Sequence, residues 1–306
     1  MRSLYFLVLS FLFGVTAFGQ QQAMYTQYMF NGLAINPAYA GSHESISATA
    51  LARIQWIGIE GAPRTETFSI HSPVPGKQIA VGANFSHDQL GVSSQNTFFL
   101  TYAYRIEMSK GVLSFGLQGG INNTNVNFGE LGVSTDPNLQ STLNTFKPNF
   151  GVGTYYYNNR FYAGVSIPTV VNQNSKKSIQ NAGIDYEIPN SQIRHLYMTA
   201  GMLFDLSPMV KLKPSLLIKS VLGAPMAMDI NANVILDDKL WLGLSYRSFD
   251  AISFLLDIQL KPQIKFGYSY DYSVTDLNLI NSGSHEFMIN YRFVYSKSKI
   301  VTPRYF

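Results

Sequence analysis

The stretch His285-Glu286-Phe287-Met288-Ile289-Asn290-Tyr291-Arg292-Phe293-Val294-Tyr295 sorts its residues by parity. Phe287, Ile289, Tyr291, Phe293 and Tyr295 share one side, and Glu286, Asn290 and Arg292 share the other. Successive side chains on a strand point to opposite faces, so this reads as a strand with one apolar, aromatic face and one polar face. The pattern recurs upstream. Ile264, Phe266, Tyr268, Tyr270 and Tyr272 oppose Lys265, Gly267, Ser269 and Asp271; Ile230, Ala232, Val234 and Leu236 oppose Asp229, Asn231 and Asn233. Between His195 and Asp205, Leu196, Met198, Ala200, Met202 and Phe204 alternate with His195, Tyr197, Thr199 and Gly201. No segment of comparable length has a helical period.

From Ser42 onward the chain divides into about fourteen such segments, from 46–57 through 148–158 and 194–206 to 284–295, with 64–71 and 160–167 the shortest and Pro214 interrupting 209–221. Every second connection is short, while the longest gaps, near 126–147, 169–193 and 274–283, all fall in the other set. Alternating short and long connections, an even strand count and apolar–polar alternation together predict an all-β fold, a transmembrane antiparallel β-barrel with an N-terminal periplasmic segment. Composition agrees. Only 13% of the 306 residues are charged, about half the usual share, and 14% are aromatic. The mean hydropathy of +0.03 is far too low for a bundle of membrane helices. Outer-membrane lipid is thus one expected partner.

The N-terminus carries an export address. Arg2 precedes an apolar run from Leu4 to Phe13, and Ala17 and Gly19 have the small-x-small spacing of a cleavage site. The run is short for a membrane span. Residues 1–19 therefore read as a cleavable signal peptide, 20–44 as a periplasmic segment, 45–295 as the barrel and 296–306 as a C-terminal tail. The expected location is the outer membrane of a Gram-negative cell.

Other chemistry is thinly supported. Without cysteine there are no disulfides, thiolate metal sites or Cys nucleophile. The five histidines lack metal-ligand spacing, and no phosphate- or dinucleotide-binding motif occurs, so no metal, cofactor or catalytic residue is expected. A net charge of +4 is too small to suggest nucleic acid. Gly283-Ser284-His285-Glu286 holds the residue types of a hydrolase in a row, but neighbours on a strand face opposite ways and cannot form a triad. The inward set combines Arg53, Arg105, Lys211, Lys213, Lys219, Arg247, Lys265 and Arg292 with Asp205, Asp229, Asp257, Asp271 and Glu286. Such a lumen is suited to hold water, to pair with itself, or to grip an inserted loop or polypeptide; the sequence does not choose.

Between signal and barrel, the stretch from Gln27 to Gly41 mixes apolar and aromatic residues with breakers at Gly32, Pro37 and Gly41. It is neither a clean helix nor a flexible linker. It reads either as packing into the periplasmic mouth or as a docking element for a periplasmic partner.

Here the sequence resembles the PorP/SprF family of Bacteroidetes. The resemblance is carried by Gln27-Tyr28-Met29-Phe30-Asn31, Asn36-Pro37-Ala38-Tyr39-Ala40-Gly41 and Arg53-x-Gln55-Trp56, then by Gly61-Ala62-Pro63-x-Thr65 and Asp88-x-x-Gly91. It continues through Phe161-Tyr162-x-Gly164-x-Ser166-x-Pro168, Gly267-Tyr268-x-Tyr270-Asp271 and Gly283-Ser284-His285-Glu286. It implies a non-enzymatic outer-membrane barrel of the type IX secretion and gliding machinery. Such a barrel works with periplasmic peptidoglycan-associated or secretion-system components and with a large secreted adhesin or its C-terminal domain. On that reading the partner-binding candidates are Gln27, Tyr28, Met29, Phe30, Asn31, Asn36, Pro37, Tyr39, Gly41, Arg53, Gln55 and Trp56. The competing expectations are a passive porin-like channel for small solutes and, more distantly, a lipid hydrolase.

Overall fold

A computed structural model of the chain describes residues 24–127, 129, 142–171, 177–179, 184–186, 193–221 and 224–293. The expected signal peptide at 1–19 and the expected C-terminal tail at 296–306 lie outside the described residues. Fourteen antiparallel strands form the wall. They are β1 (Ile46–Ile54), β2 (Arg64–Pro73), β3 (Ile79–Leu90), β4 (Ser93–Met108), β5 (Gly111–Asn127), β6 (Thr142–Tyr157) and β7 (Phe161–Ile167). Then follow β8 (His195–Met202, resumed as Phe204–Ser207), β9 (Val210–Val221), β10 (Ala227–Leu236), β11 (Leu240–Arg247), β12 (Ala251–Lys261), β13 (Ile264–Ser273) and β14 (Ser284–Phe293). Each strand pairs with its sequence neighbours, and β1 pairs with β14 from Ile46↔Phe293 to Ile54↔His285. The sheet is therefore closed and presents no free edge around its girth. A separate hairpin pairs Lys177–Ile179 with Ile184–Tyr186 in the connection between β7 and β8.

Tight turns after β2, β4, β6, β8, β10 and β12 define one end of the barrel, the turn end. The long connections after β1, β5, β7 and β13 define the other, the loop end. The parity reading locates the strands closely, and the departures have causes. β1 stops at Ile54 because Trp56 adopts a left-handed conformation, φ 46°, which ends the extended run. β6 begins at Thr142 instead of 148, pairing with β5 as far as Thr142↔Asn127. Pro148, the first residue of the strand expected at 148–158, therefore lies inside β6. It is tolerated because β7 pairs with β6 only as far up as Val152↔Ile167, so β5 is the wall neighbour at that height. Pro214 sits inside β9, and β8 breaks opposite it. The β8–β9 ladder runs to Gly201↔Ser215 and resumes at Phe204↔Leu212. A residue without an N–H cannot donate to that ladder, while on the β7 side the Leu203 N–H still donates to the Arg160 carbonyl.

The outer face is apolar. On β4, Phe98, Leu100, Tyr102, Tyr104, Ile106 and Met108 are all exposed. Ten residue steps of about 3.3 Å, tilted by about 40°, span roughly 25 Å, the height of the apolar band of an outer-membrane barrel. The inner face is polar and closed off from solvent. Arg53, Lys213, Lys219, Arg247, Lys265, Asp229, Asp257, Asp271 and Glu286 are all buried there, as the parity sorting expects. Asp205 departs from that sorting. Past Leu203 the strand leaves the lumen, and Asp205 is exposed at the turn end, 3.0 Å from Arg160.

Candidate functional site

The lumen holds the chain's own N-terminal segment. Residues 26–43 thread between the walls as three short 3-10 turns, Tyr28–Phe30, Gly32–Ala34 and Pro37–Tyr39, descending from the loop end to the turn end, where β1 begins. The breakers seen in the sequence make this path. Asn36 caps the third turn by accepting the Ala38 N–H at 2.9 Å, Pro37 supplies the preset first position, and Gly41 turns the chain at φ 73°. Its placement inside the barrel, not beyond the mouth, follows from what the wall offers it.

At the loop end the wall offers charge. Glu286 on β14 accepts the N–H of Thr26 at 2.9 Å with one oxygen and that of Gln27 at 2.7 Å with the other. The Thr26 hydroxyl donates to Asp271 at 2.8 Å and receives the guanidinium groups of Arg53 at 3.0 Å and Arg247 at 3.3 Å. Arg53 bridges Asp271 at 2.7 Å and Glu286 at 3.2 Å; Arg247 bridges Asp229 at 3.2 Å and Asp250 at 3.3 Å. Every one of these groups except Asp250 is buried. Buried charges persist only when paired and hydrogen-bonded, and the segment's backbone supplies part of that pairing.

Midway down, Tyr28 receives the Asn231 amide at 2.8 Å, and Phe30 packs edge-on against Trp241 with centroids 5.2 Å apart. Lys265 lies over both rings, 3.7 Å from the Trp241 centroid and 4.4 Å from that of Phe30. Across the lumen, the Asn31 amide donates to Thr67, and its oxygen accepts the Ser69 hydroxyl at 2.6 Å.

The lower half is held by shape. Ser166 donates to the Ile35 carbonyl at 2.6 Å, and Asn36 donates to the Thr154 carbonyl at 2.9 Å. A Cβ on Gly116 would overlap the Pro37–Ala38 backbone, and one on Gly153 would overlap the Asn36 amide. These wall positions lack side chains because the segment occupies that space. Tyr39 packs against Tyr155 and His71, each 5.4 Å away centre to centre, and the Gly41 N–H donates to His71 Nδ1 at 3.1 Å. A small cavity of about 20 Å³ lies beside Tyr28, Gly32, Tyr155 and Lys213.

Of the sequence-derived candidates, Gln27, Tyr28, Met29, Asn31, Asn36, Pro37, Tyr39, Gly41 and Arg53 are buried at this segment–wall interface, with Phe30 partly so. Gln55 and Trp56 stand apart. They line a loop-end recess of about 590 Å³ together with Ile57, Gly61, Arg64 and Gln89. Parity reasoning finds the inward charges but not their partner. The inward glycines at 116 and 153 were the available signal, since a strand interior lacking side chains marks a close approach. Ser284 and Glu286 face inward while His285 turns outward to Tyr268 at 2.7 Å, so the tetrapeptide does not assemble.

A closed fourteen-stranded antiparallel barrel with a lipid-height apolar belt and a polar, filled lumen is an outer-membrane β-barrel protein. Residues 17–291 match the family described as Type IX secretion system membrane protein PorP/SprF, and the chain belongs to that family. The family is described as a membrane protein of a secretion machinery, not as an enzyme. No curated protein matches the chain. Among solved structures, the Acinetobacter baumannii outer membrane protein Omp33 is similar at 8% identity and TM-score 0.49, over 82% of this chain and 98% of that one. A Pseudomonas aeruginosa FadL homologue is similar at 12% identity and TM-score 0.48, over 87% and 94%. The CymD monoaromatic hydrocarbon channel is similar at 12% identity and TM-score 0.47, over 92% and 96%.

Proposed function

We propose that this barrel is a non-enzymatic component of the type IX secretion and gliding machinery of a Bacteroidetes-type cell, exported after removal of residues 1–19. It helps export a large secreted adhesin, or holds it at the surface through the adhesin's C-terminal domain, and it binds periplasmic peptidoglycan-associated or secretion-system components. The observation that supports this reading is the occupied lumen. A barrel filled by its own chain is suited to present two fixed ends to polypeptides, and poorly suited to pass solutes.

Long loops face outward in barrels of this kind, so the loop-end recess with Gln55 and Trp56 is where we place the exported polypeptide. Gln27, Tyr28, Met29, Phe30, Asn31, Asn36, Pro37, Tyr39, Gly41 and Arg53 then serve partners indirectly, by holding the barrel and its turn end in one shape. Deleting the gene is expected to abolish secretion or surface retention of a specific adhesin, and affinity purification from native outer membrane is expected to bring that adhesin and periplasmic components with it. Normal surface retention in the deletion strain would overturn the proposal. Steady open-channel current from the purified protein in a planar bilayer would favour the solute channel instead.

A further inference from the structure

The exterior of the barrel is not apolar to its full height on every side. On β2 to β6 the outward residues form rows across the ladders, perpendicular to the tilted strands. One row runs Phe68–Phe85–Phe98–Ile121–Pro148 and belongs to the apolar belt. The next row toward the loop end runs Glu66–His87–Asn96–Asn123–Phe146, and the one beyond it Arg64–Gln89–Ser94–Asn125–Asn144. β4, β5 and β6 reach this height because they are 16, 17 and 16 residues long, whereas β7 has 7. The barrel thus carries a ledge on one side, standing directly on the lipid belt and facing sideways.

The chemistry of the ledge is specific. Its centre is amide, hydroxyl and imidazole, with one charge of each sign, Glu66 and Arg64, at its β2 margin. Asn96 Oδ1 accepts from His87 Nδ1 at 2.8 Å, while Asn123 Oδ1 is shielded and has no hydrogen-bond partner among the described residues. Beside Asn123, the Phe146 ring is 63% exposed. A recess of about 310 Å³ opens along the upper row, lined by Gln89, Ser93, Ser94, Asn125, Asn127 and Thr142, within the size range of ligand sites. Planar amides and hydroxyls match sugar hydroxyls as paired donors and acceptors, and an exposed aromatic ring gives an apolar face to the C–H face of a pyranose. A phosphate-rich head group would call for clustered lysine or arginine, which the ledge lacks.

We propose that this ledge binds the neutral sugar head group of a glycolipid in the surrounding outer leaflet. The acyl chains lie against the Phe68–Phe85–Phe98–Ile121 row, and the sugar rests against Asn96, Asn123, Asn125 and Phe146. The inference uses the outward orientation of the loop end and is independent of which polypeptide the barrel serves.

The test is lipid retention by the intact purified barrel, read by native mass spectrometry after reconstitution in nanodiscs that contain monoglucosyl diacylglycerol and phosphatidylglycerol in equal amount. Preferential retention of the glycolipid is expected. Retention should fall roughly tenfold in Asn96→Leu/Asn125→Leu, which removes two hydrogen-bonding amides, with heat-modifiable gel mobility unchanged. If that pair misfolds, Phe146→Ala on the same exposed row gives the same readout. Equal retention of phosphatidylglycerol would mean an unselective lipid belt and would overturn the proposal. So would equal binding of free maltotriose, which would make the ligand a soluble glycan, or unchanged glycolipid retention in the folded variants.

Discussion

The two sides of the lumen hold the same segment by different physics. The β9–β14 side buries Lys213, Lys219, Asp229, Arg247, Asp257, Lys265, Asp271 and Glu286, and of these Lys213, Arg247, Lys265, Asp271 and Glu286, joined by Arg53 of β1, meet residues 26–30 directly. The β2–β7 side is almost free of buried charge. It meets residues 31–41 with Thr67, Ser69, His71, Ser166, the Tyr155 ring and the bare backbone of Gly116 and Gly153. The charged side buys register. Glu286 can accept two successive N–H groups only if Thr26 and Gln27 sit at one height. The neutral side sets depth, because a glycine bed fits the Asn36–Ala38 backbone at one distance only. A one-residue slip would leave buried ions unpaired on one side and backbone overlapping on the other.

That contrast predicts a graded set of responses. Removing Arg53 leaves Glu286 without its cation and Asp271 with only Arg247 at 3.7 Å, so Arg53→Ala should cost about 3–5 kcal/mol. Urea unfolding in liposomes would measure it; a loss below about 1 kcal/mol would mean the cluster is not dry. Gly116→Val introduces bulk where the Pro37–Ala38 backbone lies and should cost about 1–3 kcal/mol or prevent seating altogether. Here the sign of a misfit is loss of the fast-migrating folded band on unheated gels. Ser69→Ala removes a single neutral hydrogen bond to Asn31 and should cost about 1 kcal/mol, a shift in the same unfolding midpoint that should be smaller than either of the first two. Arg160→Ala, which breaks the exposed pair with Asp205 at the turn end, should change stability by about 0–1 kcal/mol. A large effect there would relocate the decisive contacts away from the lumen.

Much of the wall could be read from residue parity, since a period of two assigns a face to each side chain without knowing its neighbours. The exceptions are local. Pro148 and Pro214 could not be interpreted until the ladder partner on each side was known, and Asp205 left the lumen because β8 broke opposite a proline. The candidate site was legible in its pieces and not in its assembly. The strings around Gln27–Asn31, Asn36–Gly41, Arg53, Gly164–Ser166, Gly267–Asp271 and Ser284–Glu286 look like separate motifs along the chain. In the fold, Gln27, Asn36, Arg53, Ser166, Asp271 and Glu286 all meet where the segment touches the wall. Contacts spanning some 260 residues, as between Thr26 and Glu286, leave no periodic trace. Parity shows that the lumen is charged, not that the chain's own beginning fills it.

The central claim is that residues 26–43 occupy the lumen in the outer membrane, and the absence of native cysteine makes it directly testable. Asn36 and Gly153 face each other across the segment–wall boundary, and a Cβ built on Gly153 lies 3.1 Å from Asn36 Cγ, the spacing a disulfide needs between the Cβ of one cysteine and the sulfur of the other. Cells carrying Asn36→Cys with Gly153→Cys should yield a disulfide-linked peptide pair on digestion of the outer-membrane protein, with neither thiol open to alkylation before reduction. Two freely alkylated thiols in a barrel that still shows its folded gel mobility would contradict the account.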